Sequence, residues 1–178
     1  VAFPNVATIG SISLQQNKTL TKLEFPSLLT TGNVSLVADT ALTTLGLPKL
    51  TKVEDLLLST FDAPVDLPKL EEAKNILIAG NVPTLSMPVL AKATELEISG
   101  TKATGLAGFG ALTTLVNLKV NGNADLTTFG FAALTKVTTV FDVSNNSALD
   151  PCLAQAVVTQ LSPKPTQVTI ANNKTASC

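Results

Sequence analysis

The chain has 178 residues, of which 45% are apolar and only 14% charged, and its formal net charge is −1. That is one domain with enough apolar surface to bury a core, and it excludes a disordered tail. There is no His, Trp or Tyr, and all 12 cations are Lys. This excludes Ser-His and Cys-His nucleophile pairs, histidine metal ligands, arginine clamps on phosphate and a basic nucleic-acid surface.

The elements follow from a repeat. Lines opening at Pro4, Pro26, Pro48, Pro68, Pro88, Gly110 and Ala132 have periods of 22, 22, 20, 20, 22 and 22 residues. Two positions after each start sit Val6, Leu28, Leu50, Leu70, Leu90, Leu112 and Leu134. Eight positions after, beginning with Ile12 and Val34 and ending with Leu118, and ten after, from Leu14 and Leu36 to Val120, the apolar residues are two apart. That is one face of a strand. A second alternating pair closes most lines: Leu23/Phe25, Leu45/Leu47, Val65/Leu67, Leu85/Met87 and Phe129/Phe131, with Leu106 and Phe109 spaced differently. Asn17, Asp39, Asn81 and Asn123 stand thirteen after their starts, where an Asx side chain can bond its own backbone at a corner.

A 22-residue unit cannot bury its own apolar face, whereas stacked units can, each strand pairing in parallel with the next. The fold expected is mainly β: a parallel, right-handed β-solenoid of about seven coils over residues 1–149, with strands on at least two sides. Residues 150–178 form its C-terminal cap within one continuous domain. Asp150-Pro151 reads as an N-cap with Pro at the first helical position. Cys152 to Leu161 reads as a helix with Leu153, Val157 and Leu161 on one face. Gln167 to Ile170 is a last strand, and Asn172-Asn173 its corner.

Cys152 and Cys178 bracket this segment and read as a disulfide staple. Asn17, Asn33, Asn145 and Asn173 each begin an Asn-x-Ser/Thr sequon and are candidate glycosylation acceptors. Val1 opens the chain without the basic and apolar regions of a leader, which fits a cytosolic protein or one already processed. Low charge, many Thr, Ser and Asn, and the paired cysteines favour a secreted or cell-surface protein. There is no apolar run long enough to span a bilayer.

Pro48-Lys49-Leu50-Thr51-Lys52-Val53, Ala111-Leu112-Thr113-Thr114-Leu115 and Ala133-Leu134-Thr135-Lys136-Val137 carry a family resemblance. So do the Val143–Leu149 corner before Cys152 and Ile170-Ala171-Asn172-Asn173 before Cys178. Over nearly the whole chain the lines resemble receptor L-domains, the leucine-rich-repeat-like extracellular β-solenoids, most closely those of fungal cell-surface and secreted microbial proteins. The resemblance implies an extracellular binding or structural module and no particular ligand. L-domains often carry a cysteine-bearing N-terminal cap, whereas this chain has no Cys before 152, so its first coil is expected to be covered by upstream residues or a partner.

The acidic pairs Glu54/Asp55, Glu71/Glu72 and Glu95/Glu97 are the nearest approach to a catalytic constellation. Glycoside hydrolysis asks for two carboxylates at a set gap with sugar-stacking aromatics, and the seven Phe mostly fall on ladder slots. Glu97 is expected to face Lys119 as an ion pair. Asn121-Gly122-Asn123-Ala124-Asp125 is the most oxygen-rich corner and reads as a tight turn. No catalytic residue, metal or cofactor is expected. Leu57 and Leu77, outward and in register with Val37 close by, mark a contact patch. The expected function is a non-catalytic module for adhesion, recognition or assembly. Its partner is a protein, a cell-wall polysaccharide or a second copy docked end to end on the first coil, Val1 to Phe25. One alternative is ice binding through Thr rows, from the pairs at 43/44, 113/114 and 127/128. A polysaccharide-active β-helix enzyme is a further alternative.

Overall fold

A computed structural model describes residues 1–176 and 178. The chain winds as a parallel β-solenoid of about six turns with one C-terminal helix. Its long side is an eight-stranded sheet built from β1 (Thr8–Gln15), β3 (Thr30–Val37), β5 (Lys52–Ser59), β7 (Glu72–Ala79), β9 (Glu95–Ser99), β10 (Thr114–Asn121), β11 (Lys136–Ser144) and β12 (Gln167–Ala171), in that order. Every neighbouring pair is parallel, and the registers match repeat slots: Ile12 lies opposite Val34, Val34 opposite Leu56, and Leu118 opposite Leu96. A second side carries two short parallel pairs, β2 (Lys22–Glu24) with β4 (Thr44–Gly46) and β6 (Val65–Asp66) with β8 (Leu85–Ser86).

The leucine ladder is the core. Slots two and eight are buried from Leu28 and Ile12 onward, and slot ten from Leu36 onward. Leu14, at the same slot in the first coil, is half-buried and packs against this core. The paired residues of the second side, Leu23/Phe25 through Phe129/Phe131, and the oddly spaced Leu106 and Phe109 are also buried.

The last line departs from the 22-residue spacing. Leu115 pairs with Val137, but Asn117 pairs with Val140, so Thr138-Thr139 oppose the single residue Val116. This bulge delivers Phe141 and Val143 rather than their predecessors into the core slots.

Each coil turns immediately after its strand through a residue in the left-handed region: Gln16 (φ 55°), Ala38 (56°), Thr60 (50°), Gly80 (128°), Gly100 (61°), Gly122 (67°), Asn145 (59°) and Asn172 (54°). At Gly80 the requirement is double, because an added Cβ would lie 2.5 Å from the Phe61 nitrogen.

The helix α1 spans Pro151–Gln160, and the Asp150 side chain accepts a bond from the Cys152 N–H at 2.9 Å. Its buried face is Ala154, Val157, Val158 and Leu161, an i, i+3, i+4, i+7 stripe. Leu153 does not belong to it: at 39% exposure it faces outward, because the stripe centres one residue further round the helix than the expected 153/157/161 face. Cys152 and Cys178 are disulfide-bonded, with a Cα–Cα distance of 5.4 Å.

Candidate functional site

The outer face of the eight-stranded sheet is a flat array in which side chains two apart on a strand share a side and adjacent strands lie about 4.8 Å apart. One row runs Asn33, Asp55, Asn75, Glu95, Asn117 in strict register. It alternates amide and carboxylate, and neighbours bond: Asn75 Nδ2 donates to Asp55 Oδ1 at 2.7 Å and Asn117 Nδ2 to Glu95 Oε1 at 2.9 Å. With its amide turned so that both ends are satisfied, Asn33 Nδ2 donates to Asp55 Oδ2 at 3.2 Å.

The next row places Leu57 directly opposite Leu77, with Ser35 before and Glu97 after them. Both leucines are half-buried. Val37 pairs with Ser59 in the adjoining row and so stands diagonal to Leu57. The expected Lys119–Glu97 ion pair is present at 3.6 Å.

The other acidic pairs are divided by the strand geometry. Glu72, at the start of β7, lies directly opposite Lys52 and bonds it at 2.9 Å. Together with Lys74 and Lys92 these two side chains rim a shallow groove of about 430 Å³ floored by Val53, Ala73 and Ala93. The Lys52 hydrogen bond, then the Lys52 charge, hold the Glu72 carboxyl below its ordinary range.

Behind the face, at the corner, runs an internal ladder. Asn123 donates from its backbone N–H and Nδ2 to Asn146 Oδ1 at 3.0 and 3.1 Å, and Asn146 does the same to Asn173 Oδ1 at 3.0 and 3.1 Å. Each Nδ2 also reaches back to the slot-ten carbonyl of the preceding coil: Ile98 for Asn123, Val120 for Asn146 and, across the bulge, Val143 for Asn173. The oxygen-rich corner of residues 121–125 is therefore the tight turn expected.

Asp39 holds the same slot near the N-terminal end. Its Oδ1 accepts from Asn17 N–H at 2.8 Å and Nδ2 at 2.9 Å, while its buried Oδ2 has no partner among the described residues. Asp39→Asn is expected to supply the missing donor to the Leu14 carbonyl and stabilise the fold by about 1 kcal/mol. An unchanged or lower denaturant midpoint would count against this assignment.

The sequons separate along the same line. Asn17 and Asn173 have their Nδ2 engaged in the ladder and are half-buried, whereas Asn33 and Asn145 have exposed side chains. The threonines have a structural use as well. Hydroxyls of Thr43, Thr51, Thr113, Thr127 and Thr135 each donate to a backbone carbonyl of the preceding coil at 3.0 to 3.3 Å.

The two ends of the solenoid carry apolar surface. At the first coil a concavity of about 260 Å³ is lined wholly by apolar side chains, among them Val1, Phe3, Ile9, Ile12 and Leu14. At the other end Val168 is 45% exposed and Ile170 half-buried, a feature that sequence reading missed by treating residues 150–178 as a closed cap. The signal was there, since Val168 and Ile170 have the spacing of slots eight and ten.

Comparison with family models, curated proteins and solved structures returned no match.

Proposed function

We propose that this chain is a non-catalytic extracellular or cell-surface module of L-domain type, used for adhesion, recognition or assembly. The observation that carries the proposal is the in-register outer face, with alternating amides and carboxylates beside the Leu57/Leu77 pair. Such a face offers fixed donors and acceptors at strand spacing next to a small apolar platform. That combination suits a hydroxyl-rich polysaccharide or a flat protein surface. The rows cannot rearrange independently, because the backbone ladder and the side-chain bonds along the Asn33–Asn117 row fix them, and this lowers the ordering cost of binding.

The Cys152–Cys178 bond fits an oxidising compartment. Asn33 and Asn145 are the sequons able to carry a glycan without opening the ladder, and a glycan on Asn33 would narrow the binding face at its N-terminal side.

The test is retention of the protein on insoluble chitin, cellulose and mannan and on intact microbial cell walls. The wild-type chain is compared with Asp55→Ala/Glu95→Ala and with Leu57→Asp/Leu77→Asp. Retention on at least one support is expected, falling roughly tenfold or more in each double variant at unchanged melting temperature. No retention, or retention that both variants leave intact, would overturn the proposal.

A further inference from the structure

At the corner after each strand, the backbone hydrogen bonds that join coils run one way. At most corners the N–H donates to the strand-end carbonyl of the following coil: Gln16 to Val37 at 2.8 Å, Ala38 to Ser59 at 2.9 Å, Gly122 to Ser144 at 3.0 Å and Asn145 to Ala171 at 2.9 Å. The corner ladder points the same way. At the C-terminal end Asn172 and Asn173 occupy these two positions, and their N–H groups have no acceptor among the described residues. At the N-terminal end the Gln15 carbonyl receives only a 3.4 Å bond from Asn17, and Asn17 Oδ1 receives no donor among the described residues. At this corner one end presents donors and the other the matching acceptors.

The ends match in shape and polarity as well. Residues 1–3 add a single parallel bridge to the second side, Ala2 with Glu24, with Phe3 N–H donating to Glu24 O at 2.8 Å and Glu24 N–H to Val1 O at 3.0 Å, ahead of any strand of the large sheet. At the opposite end β12 extends the large sheet, while the second side of the preceding coil is taken by α1, whose Leu153 faces out. Each end holds the half of a coil that the other lacks. The half-covered Val168 and Ile170 stand in the slots that pack on Ile12 and Leu14.

We propose that the chain stacks head to tail on a second copy of itself. Gln167–Ala171 of one copy pairs in parallel with Ser11–Gln15 of the next, and sheet, core and corner ladder run through the junction. This rests on the assembly branch of the reading above and names its partner. The interface is heterologous, so it does not close and yields filaments. The same register places Lys174 against Lys18, a like-charge contact that weakens association at low ionic strength.

Sedimentation velocity over a concentration series, with electron micrographs, tests this on the oxidised chain. The wild-type mass is expected to climb without a plateau, with unbranched filaments and faster growth in added salt. Ile9→Lys on one end and Val168→Lys on the other should each raise the concentration needed for association roughly 30-fold. An equimolar mixture of the two variants should form a one-to-one dimer through the intact ends. Should either variant fail to fold, Lys18→Glu carries the test, with stronger association at low salt. A monomeric wild-type chain, a closed dimer, or a Val168→Lys variant that self-associates at the same concentration as the wild type would overturn the proposal. In the monomeric case, retention on the polysaccharide supports keeps the recognition reading separate.

Discussion

Asn123→Ala is expected to lower stability by about 4 kcal/mol, because the side chain satisfies both neighbouring coils. It is fully buried. Its Oδ1 accepts from the Thr101 N–H at 2.9 Å and the Thr101 hydroxyl at 2.8 Å. Its Nδ2 donates to Ile98 O, Asn121 O and Asn146 Oδ1 at 3.1 to 3.2 Å. Truncation leaves the two donors of Thr101, itself 2% exposed, facing a void. A buried donor or acceptor without a partner costs about 1–3 kcal/mol, and several are created together. For a domain of this length the melting temperature should fall by about 10 °C. Thr101→Val removes one hydroxyl and should cost about 1 kcal/mol, separating the hydroxyl bond from the rest of the ladder. If Asn123→Ala shifts the denaturant midpoint no more than Thr101→Val does, the ladder does not hold the coils together.

The coil architecture was legible because the repeat is written in apolar residues. Slots eight and ten identify a strand by their spacing, and their return every 20 or 22 residues identifies stacking, so the register of nearly every pair follows without further information. The corner was only half legible. Asn17 and Asn123 stand out as Asx residues, but the left-handed residue precedes them. That position is filled by Gln16, Ala38 and Thr60 as readily as by glycine, because the inter-coil bonds on both sides of it fix the conformation. The bulge in β11 was invisible for a similar reason. Val140 and Phe141 are both apolar, and only the pairing of Val140 with Asn117 decides which one enters the core.

The candidate face was legible as a list of outward residues, and its chemistry was not. Reading Glu95 and Asn117 as columns predicts proximity. It does not predict that amides and carboxylates bond along one row while Glu72 pairs across the strands with Lys52. The threonine rows were the reverse case. Their regularity suggests a surface lattice, and the structure adds a second use: the first hydroxyl of each pair donates to a carbonyl of the preceding coil. Both outcomes have one cause: in a solenoid a repeated polar residue meets its own copy, and a donor beside an acceptor bonds along the stack before it faces solvent.

Opening the Cys152–Cys178 bond is expected to cost about 3 kcal/mol, the chain-entropy value for a loop of this size. The two cysteines are 26 residues apart, and the loop contains α1 and β12. The helix has its own anchorage: Ala154, Val157, Val158 and Leu161 are buried in the core, and Gln160 Nε2 donates to the carbonyls of Phe131 and Leu134 at 3.0 and 2.8 Å. β12 has less. Its inward residues are Val168 and Ile170, neither fully covered, and beyond it the Asn173 side chain and the Lys174 N–H bond to Leu149 O at 3.0 Å hold the chain. The loss should therefore be graded. In Cys152→Ser/Cys178→Ser, amide exchange should accelerate first across Gln167–Ala171, then α1, with β5 and β7 little changed, while the melting temperature falls by about 8 °C. Because β12 is the C-terminal edge strand of the proposed stack, the same variant should also lose filament growth while the outer face keeps its retention on polysaccharide supports. Equal acceleration in β12 and β5 would mean that the solenoid unfolds as one unit and that the bond does not act locally on its last strand.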